Sequence, residues 1–328
     1  MVSGSTDRVS YGISAHQGWR KNMEDAHIVH HYDDDTYIFG VFDGHGGAEV
    51  AHFCAKFIQQ ELTSSADFAK GNYESALINV FHRMDDLMRS AEGATELESI
   101  RRSVEKDASG AGPGDDTYAV LRRLMALQRL QQGGGEGPAE PVIQAGCTAV
   151  VALVRGRKLF VANAGDSRAV LCRRGEAVAL SVDHKPSTAE ERARIQAAGG
   201  FVSDVGGITR VNGNLNLSRA IGDLRYKANA SLLAKDQIIS AEPDVRVVEL
   251  CEDDAFAVLA CDGIWDVMDN QTVVGFVSER LRKGLAPADA AAQLLDACMA
   301  ADPREARGIG CDNMTASVIV FKHPLTSL

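Results

Sequence analysis

Short runs of Val, Ile, Leu, Ala and Phe recur along this chain, and an aspartate stands at the end of several of them. Asp43 follows Tyr37-Ile38-Phe39-Gly40-Val41-Phe42. Asp166 follows Leu159-Phe160-Val161-Ala162-Asn163-Ala164-Gly165, Asp262 follows Phe256-Ala257-Val258-Leu259-Ala260-Cys261, and Asp312 stands just ahead of the run from Met314 to Phe321. Runs this short, rich in β-branched and aromatic residues and bounded by Gly, Asp or Asn, read as buried strands. One Asp-Gly after a strand is usually only a turn. A set of them can aim carboxylates from several strands into one cleft, and an all-oxygen pocket of that kind suits hard divalent cations.

The bulk composition narrows what such a cleft could serve. The 328 residues, 45% hydrophobic and 24% charged, describe an ordinary globular chain, and a net charge of −11 argues against nonspecific binding to nucleic acid or membrane. The 7 cysteines form no Cys-x-x-Cys pair, and Cys54, Cys172 and Cys261 sit inside apolar runs, so buried thiols in a reducing compartment are expected. No apolar run has the length of a membrane span. The opening Met1-Val2 lacks the Met-Gly of a myristoylation site, and no signal peptide is expected. A cytoplasmic or nuclear monomer is the expectation.

Helical patterns interrupt the strands. Residues 47–62 carry Val50, Cys54, Phe57, Ile58 and Leu62 at steps of three and four, and residues 72–90 repeat the pattern from Tyr73 to Met88. Those helices are expected to pack as a pair on one sheet face. A third helix is expected after Pro186, capped by Ser187 and Glu190, a fourth from Asn270 to about Lys283 before Gly284, and a fifth from Pro287 to Met299. The close spacing of the strands suits antiparallel hairpins and an α+β fold. Residues 91–141 hold two Gly-rich stretches around an apolar pattern over Thr117–Gln132. They are expected to form a flexible low-complexity insertion with an embedded helix, either an inert loop or a partner-binding element.

The donor types point away from zinc, since no His or Cys cluster has its spacing, and towards Mg2+ or Mn2+. His30-His31 beside Asp33-Asp34-Asp35 reads as a solvated turn. Arg20, in Gln17-Gly18-Trp19-Arg20-Lys21-Asn22-Met23-Glu24-Asp25, could clamp a phosphate through its fork or pair with Glu24. Glu24 and Asp25 could bind a metal directly or orient its water. In Asp43-Gly44-His45-Gly46-Gly47 the glycines allow a ligand close to the backbone, the Gly44 carbonyl is a further possible donor, and His45 could give a proton. Trp265 is expected to pack in the core and aim Asp262 and Asp266. There is neither a Gly-x-Ser-x-Gly elbow nor a Walker A loop. The Cys298–Arg304 spacing of a cysteine phosphatase lacks the glycines and the His that would give it meaning.

Taken in order, these segments resemble the metal-dependent type-2C Ser/Thr protein phosphatases, with Gly146-Cys147-Thr148-Ala149, Asp183-His184-Lys185-Pro186 and Leu217-Ser218-Arg219-Ala220-Ile221-Gly222-Asp223 completing the match over about residues 9–321. The resemblance implies a four-layer αββα sandwich, two stacked antiparallel sheets flanked by helix pairs, forming a single catalytic domain with a flap at about 185–214. It implies two core Mn2+ or Mg2+ ions. Asp43 would bridge both, the Gly44 carbonyl would hold one, and Asp262 and Asp312 the other. Glu24 and Asp25 would orient water, Asp166 and Asp266 would serve a weaker third ion, Arg20 would clamp phosphate, and His45 would be the general acid. Two cations lower the pKa of a bridging water from about 15.7 towards neutrality, allowing in-line attack on the phosphate ester of a phosphorylated protein. The insertion and Cys147 depart from the family pattern. A catalytically silent scaffold and a small-molecule phosphatase on the same fold are the alternatives.

Overall fold

The computed structural model describes residues 1–108 and 144–322. Two large antiparallel sheets are stacked. The six-stranded sheet runs in the order β1 (Val2–Ser5), β2 (Val9–His16), β16 (Met314–Phe321), β15 (Asp254–Ala260), β9 (Arg168–Arg173) and β10 (Glu176–Ala179). The five-stranded sheet runs β14 (Asp244–Glu249), β8 (Lys158–Ala164), β7 (Ala149–Arg155), β4 (Thr36–Phe42) and β3 (Ala26–Asp33). His30 and His31 lie on β3, so they belong to a strand and not to the expected turn.

Alternation along the central strands builds three layers of core. On β4, Tyr37, Phe39 and Val41 face the other sheet, where they meet Leu171, Ala257, Leu259 and Ile319. Ile38 and Phe42 face the opposite way, towards helices. On β15, Ala257 and Leu259 join the inter-sheet core, whereas Phe256, Val258 and Ala260 face helices. Strands buried on both faces cannot be half polar, which is why their sequences read as near-continuous apolar runs.

Helices close both outer faces. The five-stranded sheet is covered by α1 (Glu49–Thr63) and α3 (Tyr73–Arg89), linked by the single turn α2 (Ala66–Ala69). The expected pair is joined by α4 (Ala91–Ala108), which brings Leu97 into the same core. The first part of the expected flexible insertion is thus a packed helix: its apolar residues are sparse, but one turn of them suffices against a neighbour. The predicted helix at Thr117–Gln132 lies outside the described residues. The six-stranded sheet is covered by α7 (Asn270–Arg282), capped by the Asp269 side chain on Thr272 N–H, and α8 (Pro287–Cys298), which begins with proline. Cys298 is buried in α8, so its spacing to Arg304 builds no phosphate loop.

Two smaller sheets shape the cleft. Strands β5 (Gly44–His45), β6 (Gly146–Cys147) and β13 (Ile221–Gly222) form a three-stranded sheet with β6 in the middle. The expected flap region holds α5 (Ala189–Ala197) and the hairpin β11 (Val202–Val205) and β12 (Ile208–Val211). The N-cap of α5 is Thr188, one residue beyond the predicted Ser187, and no side chain caps it. Between β15 and α7 lies one further turn, α6 (Asp262–Trp265). No helix among the described residues is long and apolar enough to cross a membrane.

Candidate active site

Strand ends and small sheets converge on a cleft of about 590 Å³ whose walls include Arg20, Glu24, Asp43, Gly44, His45, Asp166, Asp262 and Asp312. The strand ends bring the carboxylates together as follows. Asp43 leaves β4 and its carbonyl accepts from Thr148 N–H at 2.9 Å. Asp262 starts the α6 turn, which Trp265 anchors by burying its ring and donating Nε1–H to the Ala260 carbonyl at 2.8 Å. Asp166 is buried after β8, and Asp312 precedes β16. Asp25 is buried beside Asp43 and accepts from the Thr315 hydroxyl at 2.7 Å. Asp266 is exposed, outside the lining of the cleft.

Gly44 is a glycine for a steric reason: a Cβ there would stand 2.4 Å from the Glu24 carbonyl. The Glu24 segment is held by Asn313, whose Nδ2 donates to the carbonyls of Gln17 at 2.7 Å and Asn22 at 2.9 Å while its Oδ1 accepts from Glu24 N–H at 2.7 Å. Arg20 pairs with Asp312 at 2.5 Å, not with Glu24. Lys185 is ion-paired with Asp166, the residue expected to serve a third ion. Sequence reading assigned no role to Asn313, Lys185 or Asp223. Lys185 and Asp223 sit inside quoted segments and Asn313 follows Asp312, but the partner of each lies in another segment of the chain.

The carboxylates strain against one another. Burial, then the charges of Asp262, Asp25, Asp166 and Asp312, push Asp43 well above the ordinary carboxylate range. Burial and the charges of Asp166, Asp266 and Asp312 do the same to Asp262. Burial carries Asp25 up to about 6, and burial also raises Glu24. For His45, burial lowers the ring's pKa but is outweighed by the charge and hydrogen bond of the Asp223 carboxylate, 2.5 Å from Nε2, together with the charges of Asp166 and Glu24, so the ring is raised.

A divalent cation fits this arrangement. Among the described residues, the donor group gathered within 4.8 Å is Asp25, Asp43 and Cys261; Asp262 and Asp312 stand around the same cleft outside that group. Burial, with the charges of Asp25, Asp43 and Asp262, pushes the Cys261 thiol well above its usual range, and its sulfur accepts from Thr315 N–H at 3.1 Å. Asp25 Oδ1 is buried and makes no hydrogen bond among the described residues. The carboxylates around the cleft form an oxygen donor set with excess negative charge, which suits Mg2+ and Mn2+ alike.

A carboxylate-walled cleft between stacked sheets defines a centre for metal-assisted hydrolysis. The chain matches the family described as protein phosphatase 2C over residues 9–112 and 115–305. It is 43% identical to "Probable protein phosphatase 2C 11" of Oryza sativa subsp. japonica, covering 98% of this chain and 88% of that protein. It is 42% identical to "Probable protein phosphatase 2C 21" of Arabidopsis thaliana, covering 98% and 89%. The serine-threonine phosphatase 2C from Toxoplasma gondii superposes with a TM-score of 0.66 at 25% identity, over 98% of this chain and 97% of that one. The chain belongs to the protein phosphatase 2C family and is a metal-dependent protein serine/threonine phosphatase.

Proposed function

We propose that Asp43, Asp262 and Asp312, with the Gly44 carbonyl, hold two core Mn2+ or Mg2+ ions, and that Glu24 and Asp25 orient the water around them. The observation that carries this reading is the convergence of Asp43, Gly44, Asp262 and Asp312 on one cleft, where burial and four neighbouring carboxylates all push Asp43 upward. Bound cations would supply charge neutralisation and an activated water for attack on phosphorus. Arg20, on the mouth of the cleft, leaves Asp312 to grip the non-transferred phosphate oxygens through its planar fork. His45 protonates the departing serine or threonine oxygen. Asp166 and Asp266 serve a weaker third ion, for which the Lys185 ammonium competes.

The chain acts on phosphorylated proteins as a monomeric, single catalytic domain in the cytoplasm or nucleus, with the 91–141 segment available to a partner. Phosphopeptide turnover tests the site reading. His45→Ala should lose far more activity on a phosphothreonine peptide than on p-nitrophenyl phosphate, whose leaving group needs little protonation; equal losses would remove His45 from the acid role.

A further inference from the structure

Asp223 has no part in the reading above, yet it touches the proposed proton donor. Its Oδ2 lies 2.5 Å from His45 Nε2; the Asp223 side chain is 0% exposed and that of His45 23%. The three-stranded sheet explains the meeting. His45 and Gly222 are both register partners of Gly146 on the middle strand, so Asp223, next in the chain, is carried to the ring. Gly146 leaves room for the contact: a Cβ there would stand 2.3 Å from Asp223 Oδ2 and 2.7 Å from His45 Nε2.

Asp223 is costly where it stands. Its backbone is left-handed, with φ of 49°, a conformation that among residues with side chains Asn and Asp tolerate best. Its Oδ1 is buried and makes no hydrogen bond among the described residues, and a half-satisfied buried carboxylate is destabilising. A rigid frame nevertheless holds it. Asp223 N–H donates to the Ala145 carbonyl and its carbonyl accepts from Tyr226 N–H, both at 2.9 Å. Gly222 N–H donates to Asp85 at 2.8 Å, and Asp85 pairs with buried Lys227 at 2.5 Å. Strain of this kind persists where the surroundings over-determine it, most often at functional sites.

We propose that Asp223 is the positioning residue for His45, holding Nε2 so that Nδ1 is the ring nitrogen that meets the leaving oxygen. The proposal rests on His45 being the proton donor. The Nδ1 proton passes to the serine or threonine oxygen as its bond to phosphorus breaks; water supplies the oxygen of the new bond, and a proton from that water restores the ring. The products are the free hydroxyl side chain and inorganic phosphate.

Asp223→Asn keeps the shape and suits the left-handed backbone. With Mn2+ present, kcat on a phosphothreonine peptide should fall about tenfold or more. KM should stay within about twofold, and p-nitrophenyl phosphate should be much less affected. In a His45→Ala background the same change should cost nothing further, because the two residues act as one unit. Equal losses of Asp223→Asn on both substrates, or losses that multiply with those of His45→Ala, would overturn the proposal. If His45→Ala itself fails to discriminate between the substrates, the acid role of His45 falls instead. Should the variant not fold, NMR of the wild-type protein decides: the proposal expects a His45 ring N–H resonance shielded from solvent exchange and missing in His45→Ala, and its absence sinks the contact.

Discussion

Asp43, half-buried in the cleft, and Glu191, buried beneath the flap region, are carboxylates with opposite fates, and their neighbours explain why. Asp43 sits among other carboxylates and is raised, so replacing it with Asn relieves repulsion while removing the proposed central donor. Asp43→Asn and Asp262→Asn are each expected to lose nearly all phosphatase activity and, by calorimetry, tight Mn2+ binding. Glu191, on α5, accepts from Arg194 at 2.6 Å, Arg219 at 2.8 Å and Ser218 at 2.5 Å. Burial opposes its ionisation, but hydrogen bonds from Arg219 and Ser218 and the charges of Arg194 and Arg219 bring its pKa from 4.5 to about 2. A depressed folded pKa contributes stability above the unfolded value and loses it as pH falls towards the folded one. Denaturation followed between pH 4.5 and about 2 should therefore show stability falling steadily, and Glu191→Gln should flatten that fall while lowering stability at neutral pH. The strand-end aspartates could be read from the sequence because each is a local punctuation mark after an apolar run. Asp223 could not, because its partner His45 lies 178 residues away and only the sheet register brings them together.

Among the elements, the helices with a strong apolar stripe were legible, and α4 was not. Its sequence is polar and Gly-containing at the start, and the segment beyond it is Gly-rich, so local composition reads as loop. Leu97 decides otherwise by packing into the core of α1 and α3. Leu97→Ala should destabilise the protein by about 2–5 kcal/mol if α4 is part of that core; thermal denaturation with an unchanged midpoint would show that it is not. Asp85 joins α3 to β13 through Gly222 N–H and Lys227. Removing one partner leaves a buried charge uncompensated, so Asp85→Ala should cost about 3–5 kcal/mol. The helix start after Pro186 was misplaced by one residue because the Thr188 hydroxyl bonds back to the Lys185 carbonyl, leaving no side-chain cap to mark the boundary.

For the molecule as a whole, the cleft couples stability to metal. Cations that bind the folded carboxylate set but not the unfolded chain stabilise it, by about 2.7 kcal/mol at a hundredfold excess over Kd. EDTA should abolish turnover and lower Tm, and Mn2+ or Mg2+ should restore both; Asp43→Asn should abolish the metal-dependent rise in Tm. Unchanged turnover in EDTA would contradict a metal-dependent centre. The sequence by itself determined the layered strand and helix pattern and the oxygen character of the site, since both follow from periodicity and from residue type at strand ends. Tertiary structure alone decided which carboxylates crowd Asp43, that Lys185 sits on Asp166, that Arg20 pairs with Asp312, and that Asp223 backs His45. Those outcomes depend on contacts between separate segments of the chain, from 19 residues apart for Lys185 and Asp166 to 292 for Arg20 and Asp312, where register and packing, not local propensity, set which charges meet.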